Sequence, residues 1–264
     1  MRTMRVRPPA VAGLFYPADP GELRAAVEQA LAAAAPVARA VAKAIVAPHA
    51  GYVYSGPVAA DAYVRAAPAR GRVSRVVLLG PAHRAPVRAV AASSADAFAT
   101  PLGLVRVDVE RRDALVDAGL VVVRDDAHAD EHSLEVHLPF LQVALGDVAV
   151  LPLAVGEVDG RHVADVLEAV WGADETLVVV STDLSHYHDH QTATELDRRT
   201  AAAVVAGRPE QLGPYDACGV VPLQGLLLAA AGHDLHVELL DLRTSADIAG
   251  DAGRVVGYGA FALA

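Results

Sequence analysis

With 264 residues, 53% of them hydrophobic, the chain is long enough to bury a core without disulfide staples and fits one large domain or two small ones. Its net charge of −10 comes with no cluster of Lys or Arg, and Lys43 is the only lysine, which sets aside a nucleic-acid surface. The longest apolar stretch, Gly219 to Ala231, contains Pro222 and Gln224 and falls short of the ~18 residues a membrane span needs.

In chain order, the basic start Met1 to Pro9 leads into an apolar run broken by Gly13 and Pro17, unlike a signal peptide. A helix is predicted from near Asp19, closing on the run Ala32–Ala35 before Pro36. The strand Ala44–Ala47 and the helix Pro57–Ala67 follow, then the strand Arg75–Leu79. Hairpin-like strands are expected around Val87–Ala92 and Leu104–Val107, and helices over Val109–Ala118 and Leu134–Leu145. Strands Val148–Val155 and Leu177–Ser181 flank a helix over His162–Trp171. Helices Ala193–Ala206 and Gly219–Ala231 precede the strands Val237–Leu242 and Val255–Ala262. Continuous apolar strands alternating with helices predict an α/β fold, a three-layer α/β/α sandwich with a mostly parallel or mixed sheet. No repeat and no Gly/Ser-rich linker divides it, so residues 1–264 are read as a single domain.

Three strands end in the same way. Ala44–Ala47 runs into Pro48-His49, Arg75–Leu79 into Gly80-Pro81-Ala82-His83, and Leu177–Ser181 into Thr182-Asp183-Leu184-Ser185-His186. Open α/β sheets bind ligands at the carboxyl ends of their strands, so these imidazoles converge if the strands are parallel neighbours. One loop histidine among the chain's eleven is ordinarily solvated; three in one context point to a shared site. Asp183 and His186, three apart in one turn, are candidates for an acid/base unit in which the carboxylate orients the imidazole.

Cys218, the only cysteine, rules out an intrachain disulfide and suits a reducing, cytoplasmic compartment. Two readings stand for it. It is a small buried hydrophobe, or, at the start of the Gly219–Ala231 helix, a thiolate favoured by unpaired N–H groups. Two His and a thiolate resemble the open ligand sets of non-haem iron, copper and catalytic zinc. In Asp130 to Phe140, helix capping by Asp130 or Ser133 and surface charge account for most polar residues. His132 and Glu135 share a face there and could line a cleft, with His128 just upstream. His188 and His190 are read as solvated at the start of the next helix.

These motifs together resemble the Memo family, called AmmeMemoRadiSam system protein B in prokaryotes. The resemblance runs through Pro9–Pro17, Ala47–Gly56, Gly80–His83, Thr100–Gly103, Glu131–Glu135, Leu138–Leu141, Ser181–Tyr187, Cys218-Gly219 and Val256–Tyr258. It implies the fold of the class III extradiol dioxygenases (the LigB type). It places metal ligands on His49, His83 and Cys218, a polar catalytic pair on Asp183 and His186, and a pocket aromatic on Phe15; from its own stretch, His132 is the second pocket candidate. The thiol stands where those dioxygenases carry a carboxylate, so ring cleavage does not follow from the likeness.

The leading expectation is an iron(II) site, with copper or zinc as alternatives, serving an oxygen-dependent oxidoreductase on a small substrate. The competing expectation is a non-catalytic recognition module with an AMMECR1-like or radical-SAM partner. Zinc-dependent hydrolysis comes third.

Overall fold

The computed structural model describes residues 3–34 and 41–264. The first strand and helix are β1 (Val6–Arg7) and α1 (Pro20–Ala33). Asp19 caps α1 by accepting the N–H groups of Gly21 and Glu22. The expected helix end at Ala35-Pro36 lies outside the described residues, as does Met1. Next come β2 (Ala44–Ala47), α2 (Tyr52–Ala66), β3 (Arg75–Pro81) and β4 (Val90–Ala92). A small excursion follows, made of β5 (Ala97–Thr100), β6 (Gly103–Arg106), α3 (Val109–Asp117), β7 (Val122–Val123) and α4 (Asp126–Ala129). The main fold resumes with α5 (His137–Ala144), β8 (Ala149–Val155), α6 (Gly160–Val170) and β9 (Thr176–Ser181). It closes with β10 (His186–His188), α7 (His190–Val205), α8 (Val220–Gly232), β11 (Val237–Thr244), α9 (Ser245–Ala249) and β12 (Val255–Leu263).

The main sheet runs β10-β12-β2-β9-β3-β8-β4-β7, with β11 also paired to β12. Its centre, β2-β9-β3-β8, is parallel, while β12 and β4 join it antiparallel, so the sheet is mixed. Alternate residues feed two cores, as a period of two requires. Ile45, Leu78, Leu177 and Val179 face the core shared with α1, α2 and α5. Val46, Val77, Leu79, Val178 and Val180 face the one shared with α6, α7 and α8. Both faces are covered, which explains why these strands read as unbroken apolar runs.

Two expected boundaries moved for a physical reason. The helix α2 starts at Tyr52, not Pro57, because Tyr52 N–H donates to Phe15 O at 2.7 Å and fixes the chain directly after His49. The helix expected from Leu134 starts only at His137, and neither Asp130 nor Ser133 caps it. Glu131 and Ser133 turn inward, and the chain between them and Val136 stays in turns. The two extra strands do not pair with each other. β4 joins the main sheet, whereas β6 pairs with β5 in a separate sheet with β1.

Candidate metal centre

Because β9 lies between β2 and β3, the carboxyl ends of these three parallel strands are neighbours, with Ala47 beside Ser181. His49 and Asp183 leave adjacent strand ends and meet at once. His49 N–H donates to Asp183 Oδ1 at 2.7 Å, and His49 Nε2 lies 3.9 Å from Oδ2. From the β3 end, the His83 ring approaches the His49 ring with centroids 5.2 Å apart. The His132 ring stacks on His83 at 5.0 Å and stands edge-on to His49 at 5.4 Å.

One ring nitrogen from each of His49, His83 and His132 lies within 4.8 Å of the others, close enough to hold one metal ion. The hydrogen bonds behind the rings suit that task. Ser181 O–H donates to Ser133 O at 2.6 Å, so the proton in its 2.7 Å contact with His49 belongs to His49 Nδ1. The Nε2 lone pair of His49 is thereby left for a ligand. His83 Nδ1 lies 3.1 Å from Glu131 Oε1, which likewise fixes the proton away from Nε2. His49 is fully buried, and burial foremost, then His83 and His132, holds its pKa well below the usual imidazole value. A neutral imidazole is the form that binds a metal.

Glu131 is the organiser of this set, and reading its stretch as surface charge misplaced it. Only 2% exposed, it accepts His83 N–H at 2.5 Å and the N–H groups of His132 and Ser133 at 2.9 Å each. Its carboxylate lies 3.2 Å from His132 Nδ1 as well. Burial works to raise its pKa, but the hydrogen bonds from His132, His83 and Ser133 outweigh it and hold the group below the ordinary carboxylate range. Two serines take a part that the sequence did not show, Ser133 in place of the expected cap. Ser181 and Ser133 are buried, and their hydroxyls tie the β9 and β3 ends to the His132 turn.

Cys218 stands beside the three rings but is not one of the three mutually close donors. Its Sγ lies 3.3 Å from His49 Nε2 and accepts Asp183 N–H at 3.3 Å. The helix-start expectation of a lowered pKa does not hold. Burial foremost, and then the Asp183 charge, push the thiol up to about 12, against the N–H of Asp183, the Thr182 hydroxyl and Gly219 N–H. Gly219 lets this loop press onto the sheet: a Cβ there would come within 2.6 Å of Ser181 O.

Asp183 and His186 do not form the expected pair. Asp183 spends its carboxylate on His49 N–H, and burial raises its pKa despite that bond. His186 instead donates Nδ1–H to Leu184 O at 2.8 Å. Phe15 sits against His132 with ring centroids 4.8 Å apart. Glu135 turns away from the site to Arg7 and Tyr16, and the buried His128 bonds Ala91 O, so neither lines a cleft with His132. His188 is exposed in β10, while His190 is not simply solvated, since its Nδ1 lies 2.9 Å from Thr244 Oγ1.

The family described as Memo-like protein matches residues 7–262. The chain belongs to the Memo-like family. A MEMO1 family protein of Methanopyrus kandleri is 39% identical to it, over 96% of this chain and 97% of that one. One from Aquifex aeolicus is 36% identical over 97% and 98% of the two chains. The crystal structure of an uncharacterized Escherichia coli K12 protein shares the fold, with a TM-score of 0.55 and 13% identity over 83% of this chain and 98% of that one. In this Memo-like chain, then, the triple-imidazole group sits at the carboxyl end of the parallel strands. No helix among the described residues is long and apolar enough to cross a membrane.

Proposed function

We propose that this Memo-like protein holds iron(II) through His49, His83 and His132, with Cys218 flanking His49, and acts as an oxygen-dependent oxidoreductase on a small substrate in the cytoplasm. The observation that carries this reading is the mutual closeness of three ring nitrogens, two of them on rings whose Nδ1–H is already engaged. An all-imidazole set suits divalent iron, copper or zinc and leaves coordination positions open. Bound iron would supply Lewis acidity and redox chemistry. The chain's own part is to keep His49 neutral, to align the rings and to handle a proton. His49 is kept neutral by burial, and Glu131 and Ser181 hold the rings by their far nitrogens. His186 has its Nδ1–H occupied, so Nε2 is the atom that takes or gives a proton.

Metal analysis of protein purified without oxygen, with iron(II) supplied, tests the proposal. About one redox metal per chain is expected, lost in His49→Ala, His83→Ala and His132→Ala, with Cys218→Ser weakening retention less than any of them. Full loading of all three histidine variants would sink the reading. Loss in Cys218→Ser with retention in His132→Ala would return the third position to the thiolate. Zinc alone would favour hydrolysis.

The recognition reading draws on one observation. Leu14, Val53 and Tyr187, on the segments that also carry Phe15, His49 and His186, are large, apolar and exposed. Binding of an AMMECR1-like or radical-SAM partner that is unchanged by His186→Ala, with no turnover found, would favour it.

A further inference from the structure

The turn that presents His186 is gripped from outside the metal centre. On one side it lies on β12: Leu184 N–H donates to Gly257 O and Gly257 N–H donates to Ser185 O, both at 2.8 Å. On the other side lies α7. Its Asp197, 1% exposed, accepts Ser185 N–H through Oδ1 at 2.9 Å. Asp197 Oδ2 has no partner in hydrogen-bond geometry and rests over Gly257, where an added Cβ would come within 1.8 Å of it. Only glycine leaves room for the carboxylate there.

No Lys or Arg pairs with this buried carboxylate among the described residues. Burial raises its pKa, against the Ser185 N–H hydrogen bond and the nearby His186 and His188. An apolar residue would fill the position at lower cost in free energy, since burying a carboxylate without a cation is unfavourable. What the carboxylate contributes follows from the planarity of the peptide bond. Ser185 N–H and Leu184 C=O belong to one rigid amide unit and point in opposite directions. Asp197 holds the N–H end, and the C=O end accepts His186 Nδ1–H at 2.8 Å. A carboxylate on the N–H also polarises the amide and strengthens its carbonyl as an acceptor.

We infer that Asp197 is the positioning residue of His186, acting through the Leu184–Ser185 peptide to fix the ring as the Nδ1–H tautomer with Nε2 unprotonated. The role expected of Asp183 thus falls to a carboxylate on α7 with a peptide between it and the ring. This inference rests on His186 being the proton-handling residue of the proposed function; it does not depend on which metal binds.

The experiment is side-chain nitrogen NMR of the histidine rings in metal-free protein at about pH 8, where free imidazoles are neutral, with His186→Gln identifying the signals. Wild type and Asp197→Asn, whose amide oxygen can still accept Ser185 N–H, are expected to show His186 as the Nδ1–H tautomer. In Asp197→Ala the tautomer ratio is expected to move about tenfold or more towards Nε2–H, the size of one charge-assisted hydrogen bond. A folded Asp197→Ala that keeps the pure Nδ1–H tautomer overturns the inference. Because that variant could fail to fold, amide exchange of wild-type Ser185 is measured too. Protection like that of the β9 amides supports the inference, and exchange at an open-loop rate overturns it. Iron(II) retention, measured on separately loaded wild type and His49→Ala, reads the metal proposal on its own: whichever way it falls, the tautomer result stands.

Discussion

Glu131 and Glu135 stand four residues apart, are both buried, and are both surrounded by donors, yet they do different work. Glu131 gathers the backbone of His83, His132 and Ser133 and the Nδ1 of His83, so its partners are the imidazole-bearing residues of the site. Glu135 takes the Arg7 guanidinium, the N–H groups of Ala10 at 2.7 Å and Val11 at 3.0 Å, and the Tyr16 hydroxyl at 2.5 Å. Its charge is matched by a permanent cation, and it straps the N-terminal segment, with Phe15 on it, over the site. Burial and full hydrogen bonding therefore do not mark a functional carboxylate. The chemistry of its partners does.

The comparison can be broken most sharply at Glu135. Glu135→Ala strands the Arg7 charge in the interior, which costs about 3–5 kcal/mol and lowers the melting temperature by roughly 10 °C. Calorimetry is expected to show this, with the metal stoichiometry of the folded fraction kept. An unchanged melting temperature would mean that the strap is not structural.

Acid tests the same region next. His128 lies under Arg7, which donates to its carbonyl, and burial holds its imidazole down at about 4. The unfolded chain binds the proton first, near pH 6.5, so stability is full above that value and falls as pH drops towards 4. The loss reaches roughly 3 kcal/mol at the lower end, from 1.36 kcal/mol per unit. Urea unfolding at a series of pH values checks the slope, and His128→Gln is expected to flatten it.

At the other carboxylate the expected effect is on the ligand rather than the fold. Glu131→Gln puts an N–H₂ among N–H donors, loosens His83 and His132, and is expected to lower metal affinity about 10–100-fold. Calorimetric titration with the metal reads this. A melting-temperature loss as large as that of Glu135→Ala would erase the distinction between the two residues. The smallest effect marks the site's edge: His188→Ala, exposed next to the His186 turn, is expected to change stability by less than about 0.5 kcal/mol and leave metal binding intact.

Much of this was legible in the chain itself. Unbroken apolar runs such as Leu177–Ser181 specify strands covered on both faces, and a histidine just past three of the strand ends marks the sheet edge where ligands bind. These are local signals, carried by the period of side chains along a strand and by the turn residues that follow. The order β2-β9-β3 is not local. It decides that His49, Asp183 and His83 start from adjacent ends, while the hydrogen bonds of Glu131 and Ser133 to those ends bring His132, which looked like part of a capped helix, into the group of three rings. The same holds for the thiol. Its place at a helix start suggested a lowered pKa, but packing buries it against Asp183 and raises it. The surroundings of His186 are non-local too: its ring meets Leu184 O, and Asp197 meets the Leu184–Ser185 peptide only because α7 and β12 enclose it. Sequence alone determined which segments become strands and which histidines sit at their ends. Tertiary structure decided which donors face one another, because that depends on strand order and burial, and neither is written in any single stretch of the chain.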